Sequence, residues 1–166
     1  MSDEHRRDQT LETTFAVLVV IDTRTKETDR SGKIAMEIVA SEGHTTKAYD
    51  IVKNDEGEVR TAITGYINDP SIRVILTSGG TGIGRKDITT NTVEPLLDKK
   101  LDGFGEHFRK LSHEEIGLAG IYSRAVAGLA GNTVIFCLPG SKNAMLTALK
   151  EIILPSLGHL LWEVDR

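Results

Sequence analysis

The chain is poor in the features that many enzyme and binding classes require. It has a single cysteine, Cys137. One cysteine makes neither an internal disulfide nor a paired-cysteine metal site, and its place in the apolar run 134–138 predicts a buried thiol in a strand. There is no excess of positive charge. The net charge of −4 at pH 7 excludes a broadly basic nucleic-acid binder. No uninterrupted apolar stretch approaches the roughly 18 residues that cross a bilayer. Residues 1–14 are polar and charged, and they read as a flexible tail and not as a signal peptide. A cytoplasmic protein with neither nucleic-acid nor membrane partners is expected. The five histidines show no metal-ligand spacing; His5 lies in the tail, and His44, His107, His113 and His159 are expected at helix surfaces or helix ends. No Gly-x-Ser-x-Gly elbow is present, which argues against an α/β-hydrolase. No internal repeat or low-complexity linker divides the chain.

What is present fits one compact domain, residues 15–166. A length of 166 residues, 39% hydrophobic and 27% charged, suffices for one core and not for two. Residues 15–21 form a β-branched apolar run suited to a strand buried on both faces. Residues 31–42 carry Ile34, Ile38 and Val39 on one helical face, and Gly43 suits the C-terminal cap. Residues 45–52 read as a more polar strand near a sheet edge. Val59, Ile63, Tyr66 and Ile67 mark a second amphipathic helix, ended by Pro70. Residues 72–77 form a third strand. Short helices are expected around Val93 to Leu97 and Phe104 to Leu111. Residues 123–129 and 133–138 read as a hairpin. A final long helix is capped by Ser141 and interrupted by Pro155. This order predicts a three-layer αβα fold whose sheet is mostly parallel with one antiparallel strand. Ligands in such folds bind beyond the C-terminal ends of the strands, where the loops after residues 21, 77 and 138 emerge.

The sharpest signal is Thr77-Ser78-Gly79-Gly80-Thr81-Gly82-Ile83-Gly84-Arg85-Lys86-Asp87. Glycines this dense, just past a buried strand, let backbone N–H groups converge on a phosphate with no Cβ in the way. Ser78 and Thr81 add hydroxyl donors. A Walker loop ends in Gly-Lys-Ser/Thr, which is absent. The dinucleotide fingerprint needs a glycine where Arg85 stands and normally follows the first strand. Asp87 beside a phosphate cradle suggests Mg²⁺, which binds through one or two carboxylates plus phosphate oxygens; it serves equally as a helix cap or a partner for Arg85 or Lys86. Asp55, in the loop after the second strand, is a typical turn or N-cap residue that also lies at a strand's C-terminal end. Pro139, Gly140 and Ser141 enter the last helix, whose N-terminus offers exposed amides to an anion. Ser123 and Arg124 open the hairpin, where surface residues are usual.

The run from Thr77 to Thr89 resembles the signature of the MoaB/Mog family of molybdenum-cofactor biosynthesis proteins. Leu101-Asp-Gly-Phe-Gly-Glu106 with Phe108-Arg109, Ser123-Arg-Ala-Val-Ala-Gly128 and Leu138-Pro-Gly-Ser141 resemble further family segments in the same order. His113-Glu114-Glu115-Ile116-Gly117 looks closer to the MoaB branch. The resemblance runs from Phe15 to the last helix. It implies a homo-trimer or hexamer, working alongside other cofactor-biosynthesis proteins. It implies an adenylyltransferase that joins molybdopterin to ATP and releases pyrophosphate. Asp55 and Asp87 match the family's functional carboxylates and would hold Mg²⁺ or orient phosphates. Gly79 to Gly82, with Thr77, Ser78 and Thr81, would hold phosphate, and Glu106, Ser123, Pro139, Gly140 and Ser141 would line the rest of the pocket. The alternative within the pathway is a non-catalytic molybdopterin-binding or scaffold protein. The chain departs from the family's Thr-Pro-Glu after the loop aspartate. It has Thr89-Thr90-Asn91 there, and Thr90, Asn91 or Thr92 is expected to cap the next helix in place of the proline.

Overall fold

The computed structural model describes residues 11–166. Strands β1 (Thr14–Val20), β2 (Thr45–Val52), β3 (Val74–Ser78), β4 (Lys99–Lys100), β5 (Val126–Ala130) and β6 (Thr133–Leu138) form one sheet in the order β2-β1-β3-β6-β5-β4. β2, β1, β3 and β6 run parallel to one another. β5 runs antiparallel to both β6 and β4, so it is the one reversed strand, as expected. Every residue of β1 from Phe15 to Val20 is buried, and the period-two alternation of a strand divides them. Phe15, Val17 and Val19 join one core cluster, while Ala16, Leu18 and Val20 join the other.

The helices cover the two faces. α1 (Ser31–Ser41), α4 (Asp102–Ile116) and the C-terminal helices share the first cluster, through Ala35, Val39, Phe108 and Leu149. α2 (Glu56–Ile67) and α3 (Thr89–Val93) share the second, through Val59, Ile63, Tyr66 and Val93. Gly43 follows α1 with φ of 83°, which fits the left-handed cap position. β2 lies at the sheet edge and is half exposed, in line with its polar sequence. β4 was not legible in sequence: two lysines at the far edge carry no apolar pattern, and a short charged strand protects an edge from further pairing. The first strand begins at Thr14, one residue inside the expected tail, and residues 1–10 of that tail, with His5, lie outside the described residues.

Pro155 does not break the last helix. α5 (Lys142–Thr147) passes through a π-helical stretch, Ala148–Ile153, into α6 (Leu154–Asp165). The wider turn accommodates the proline ring and missing N–H without ending the helix. Together these residues form a 24-residue helix containing an 18-residue window of mean hydropathy 1.3, long and apolar enough to cross a membrane by composition alone. Its Met145, Leu149, Ile153 and Leu157 are instead fully buried against the sheet.

Candidate functional site

The C-terminal ends of β1, β3 and β6 meet at two glycine turns. Gly79 has φ of 104°, and a Cβ there would lie 2.3 Å from the Val20 carbonyl oxygen. Its N–H donates to the Leu138 carbonyl at 2.9 Å, which extends the β3–β6 pairing by one residue. Gly140 packs against the Gly79 Cα, so the turn after β6 rests directly on the turn after β3. The Gly79 amide is therefore spent within the sheet and does not face a ligand, contrary to its expected place in the cradle.

Below the loop lies a buried polar network. The Ser78 hydroxyl is 2.7 Å from that of Ser31 at the start of α1. Asp29 is also buried and accepts from the Gly32 N–H at 3.2 Å and the Ser31 hydroxyl at 3.4 Å. The Tyr49 hydroxyl donates to the other Asp29 oxygen at 2.5 Å. Burial, followed by the Asp29 hydrogen bond and charge, pushes the Tyr49 hydroxyl well above its usual range, so it stays a donor. Ser78 thus sits under the loop and ties it to α1, while Thr77, fully buried in β3, takes no part in the network. Thr81 is buried too. Sequence reasoning missed Asp29, a residue in a polar loop whose burial depends on three separate elements.

The loop itself is held by its carbonyls. Gly80 O accepts from Thr89 N–H at 2.9 Å, and Thr81 O accepts from Arg124 N–H at 2.7 Å. Arg124 Nε donates to Gly82 O at 2.9 Å and its Nη2 to Asp87 O at 3.0 Å. Asp87 Oδ2 accepts from Gly84 N–H at 2.8 Å. The N–H groups of Gly80, Thr81, Gly82 and Ile83 have no partner among the described residues. Unpaired, closely spaced amides of this kind form a concave anion-binding surface. Arg124, expected at the surface, is half-buried against the loop. The hairpin motif contains it, yet nothing local signals that its side chain reaches back to residues 82 and 87.

The carboxylates have mixed roles. Asp55 is exposed and caps α2, accepting from Glu58 N–H at 2.9 Å. Asp87 braces its own loop and pairs with neither Arg85 nor Lys86. Each commits one oxygen to an amide, and the other oxygen has no partner among the described residues. That donor set suits Mg²⁺, which takes one or two carboxylates and completes its shell with phosphate oxygens and water. Among the described residues no group of three or more His, Cys, Asp or Glu could hold a metal. Asp22, beyond β1, is a further carboxylate that the sequence reading passed over. It accepts from Asn54 N–H at 2.9 Å and lies 3.6 Å from Lys86 Nζ. The Asn54 bond is the main cause holding its carboxyl below the usual range, with Lys86 adding to it. Asp22 therefore links the loops after β1, β2 and β3.

Two cavities flank Arg124. One of about 530 Å³ is lined by Glu56, Ile83, Arg85, Asp87 and Asn91 with Arg124. The other, about 420 Å³, is lined by Thr90, Lys100, Arg109, Ser123 and Arg124 among others. Ser123 belongs to the second and accepts from Ala125 N–H at 3.2 Å. Glu106 is exposed on α4 and takes part in none of these contacts. Pro139 and Gly140 lie beside the glycine loop, and Ser141 caps α5, accepting from Ala144 N–H at 3.1 Å. Thr90, Asn91 and Thr92 do not cap α3. Its first position carries no side-chain cap, because the Thr90 hydroxyl donates to Arg124 O and that of Thr92 to Ile88 O. His44 is not a surface residue: it is buried, and its Nδ1 accepts from Thr13 N–H at 3.1 Å. Cys137 is fully buried, and burial pushes its thiol up to about 12, as befits a core residue.

These features define a three-layer αβα protein with an anion-receptive glycine loop and two carboxylates at the C-terminal edge of its sheet. Residues 16–159 match the family described as "probable molybdopterin binding domain". The chain is 40% identical over 164 residues to molybdenum cofactor biosynthesis protein B of Bacillus cereus, covering 98% of this chain and 97% of that protein. It is 42% identical over 154 residues to the protein of the same name in Staphylococcus carnosus, covering 91% of this chain and 90% of that one. A crystal structure of a molybdenum cofactor biosynthesis protein B superimposes with a TM-score of 0.90 at 41% identity, covering 94% and 98% of the two chains. The tungsten cofactor synthesizing protein MoaB from Pyrococcus furiosus gives 0.85 at 37% identity, over 95% and 100%. The chain belongs to this molybdopterin-binding domain family, on the MoaB/Mog side.

Proposed function

We propose that this protein acts in molybdenum or tungsten cofactor biosynthesis, in the cytoplasm, and adenylylates molybdopterin with Mg-ATP. The observation that carries this reading is the run of unpaired amides at Gly80, Thr81, Gly82 and Ile83 beside Asp87. In the reaction, an oxygen of the terminal phosphate of molybdopterin bonds to the α-phosphorus of ATP. The bond from that phosphorus to the bridging oxygen breaks, and pyrophosphate leaves. Such a transfer depends on positioning and charge stabilisation more than on covalent help. The loop amides hold phosphate oxygens in place with fixed dipoles that need no reorganisation. Asp55 and Asp87 would hold Mg²⁺, which supplies charge neutralisation on the phosphates. The buried Ser78–Ser31–Asp29–Tyr49 network keeps the loop's base rigid. The cavity at Ser123 gives room for the pterin, and Gly140 and Ser141 close the side next to Gly79.

A second reading, a molybdopterin-binding protein without catalysis, is favoured by one observation: Asp55 already has a structural duty as the cap of α2. The two readings separate in a pyrophosphate-release assay with ATP, Mg²⁺ and freshly prepared molybdopterin. Adenylyl transfer predicts release that requires the pterin and drops by at least about 100-fold in Asp87→Asn and Asp55→Asn. Pterin binding without release would leave the binding protein. We also propose assembly into a homo-trimer or hexamer. Exposed Ile116, Leu118, Ile121 and Tyr122 lie close together in sequence and support it, since monomers rarely expose grouped apolar side chains. A monomeric mass by sedimentation would remove this part of the reading.

A further inference from the structure

In a trans peptide unit the C=O and the N–H point in opposite directions. Whatever holds a carbonyl therefore sets where the next residue's amide faces. Three successive units of the glycine loop are held in this way. Gly80 O is held by Thr89 N–H and Thr81 O by Arg124 N–H, and Gly82 O by Arg124 Nε. The amides at the other ends of these units belong to Thr81, Gly82 and Ile83, and they are the unpartnered ones. The second arm of the same guanidinium holds Asp87 O at 3.0 Å, next to the carboxylate that braces Gly84. Arg124 is fixed in turn by the Thr90 hydroxyl, which donates to its carbonyl at 2.9 Å. No carboxylate forms a salt bridge with it among the described residues.

We propose that Arg124 is a positioning residue: it holds the loop's carbonyls inward so that the Thr81, Gly82 and Ile83 amides face outward as an anion-binding surface. The inference rests on the reading of this loop as a phosphate site. Arginine suits the task because its planar fork reaches two carbonyls, Gly82 and Asp87, at once, whereas lysine is a single point charge on a flexible stem. Its charge also lies behind peptide dipoles whose positive ends face the ligand, and so reinforces them.

The test uses the full chain, labelled with ¹⁵N and titrated with inorganic pyrophosphate while the Thr81, Gly82 and Ile83 amides are followed by NMR. Arg124→Gln is expected to bind about tenfold more weakly or worse, given the worth of charged hydrogen bonds. Arg124→Lys should fall between, and free methylguanidinium should restore part of the loss in Arg124→Ala. Hydrogen exchange at the Gly84 and Thr89 amides reads the clamp without any ligand, and it should quicken in Arg124→Gln. If that variant binds pyrophosphate as the wild type does, the inference is overturned and the phosphate-loop reading survives. If pyrophosphate leaves the wild-type amides unmoved, the phosphate reading falls. The anion-surface role of Arg124 falls with it, and Gly84 and Thr89 exchange then reports only whether the clamp holds the loop.

Discussion

Single residues in this loop work under steric limits that a sequence only partly reveals. Dense glycine after β3 pointed to close backbone approach, but which glycine is indispensable depends on contacts from other strands. Gly79 and Gly43 both have positive φ, of 104° and 83°. A Cβ at Gly79 would collide with the Val20 carbonyl at 2.3 Å, whereas nothing lies within 4 Å of one at Gly43. Gly79→Ala is therefore expected to cost about 3 kcal/mol or more, combining a disfavoured backbone with a clash against main chain. Gly43→Ala should cost only about 1 kcal/mol. Denaturant titration of the two variants checks the contrast, and equal costs would show that the two strands part easily. His44 offers a second test. Burial lowers its pKa from 6.5, against smaller raising effects of Glu42 and Glu12. As pH falls below 6.5 the unfolded chain takes up the proton before the folded chain does, so stability is full above that value and declines beneath it. Wild type should lose more stability between pH 7.5 and 5.5 than His44→Gln does. Neither the burial of His44 nor that of Asp29 was legible in sequence, because each is enclosed by residues distant along the chain.

At the scale of elements, the apolar runs and helical periodicity placed β1, β2, β3, α1, α2 and the hairpin, since each buries a patterned face. β4, too short and too charged to show a pattern, was invisible. Pro155 was misjudged as an interruption because a π-helical stretch is not written in any residue type. Asp55 shows how an element's needs overlap with a site's. It satisfies an orphan N–H at the start of α2, so removing it tests two things at once. Asn caps helices about as well as Asp. Asp55→Asn should therefore leave stability nearly unchanged, while Asp55→Ala should lose about 1 kcal/mol, read as a shift in the denaturation midpoint. If both variants lose pyrophosphate release but only the alanine form is destabilised, the carboxylate's charge acts in the chemistry apart from its cap. If activity follows stability across the pair, Asp55 is only a cap and the binding-protein reading gains.

Over the whole molecule, the candidate site belongs to no single segment. Asp22 after β1, Asp55 after β2, the glycine loop after β3, Arg124 before β5 and Gly140 after β6 converge because parallel strands bring their C-terminal ends to one edge of the sheet. The topology was readable from the alternation of strands and helices, and it correctly directed attention to that edge. Which side chains bridge the loops there was not, since the links run between residues far apart in sequence: Asp22 to Asn54, and Arg124 to Gly82 and Asp87. A site assembled from so many connections exists only in the folded chain, so a ligand bound there stabilises the whole domain. At a concentration 100 times its dissociation constant, a ligand adds about 2.7 kcal/mol. For a domain of this size, each kcal/mol corresponds to roughly 2–4 °C in the thermal midpoint. Saturating Mg-ATP should therefore raise the midpoint by roughly 5–10 °C. Asp87→Asn should lose most of that shift, because it removes a carboxylate suited to Mg²⁺ while leaving an amide oxygen able to accept from Gly84 N–H. A wild-type midpoint indifferent to Mg-ATP would mean that the nucleotide does not use this edge. An equal shift in the variant would place nucleotide binding on the loop amides alone and leave Asp87 to the later chemical step.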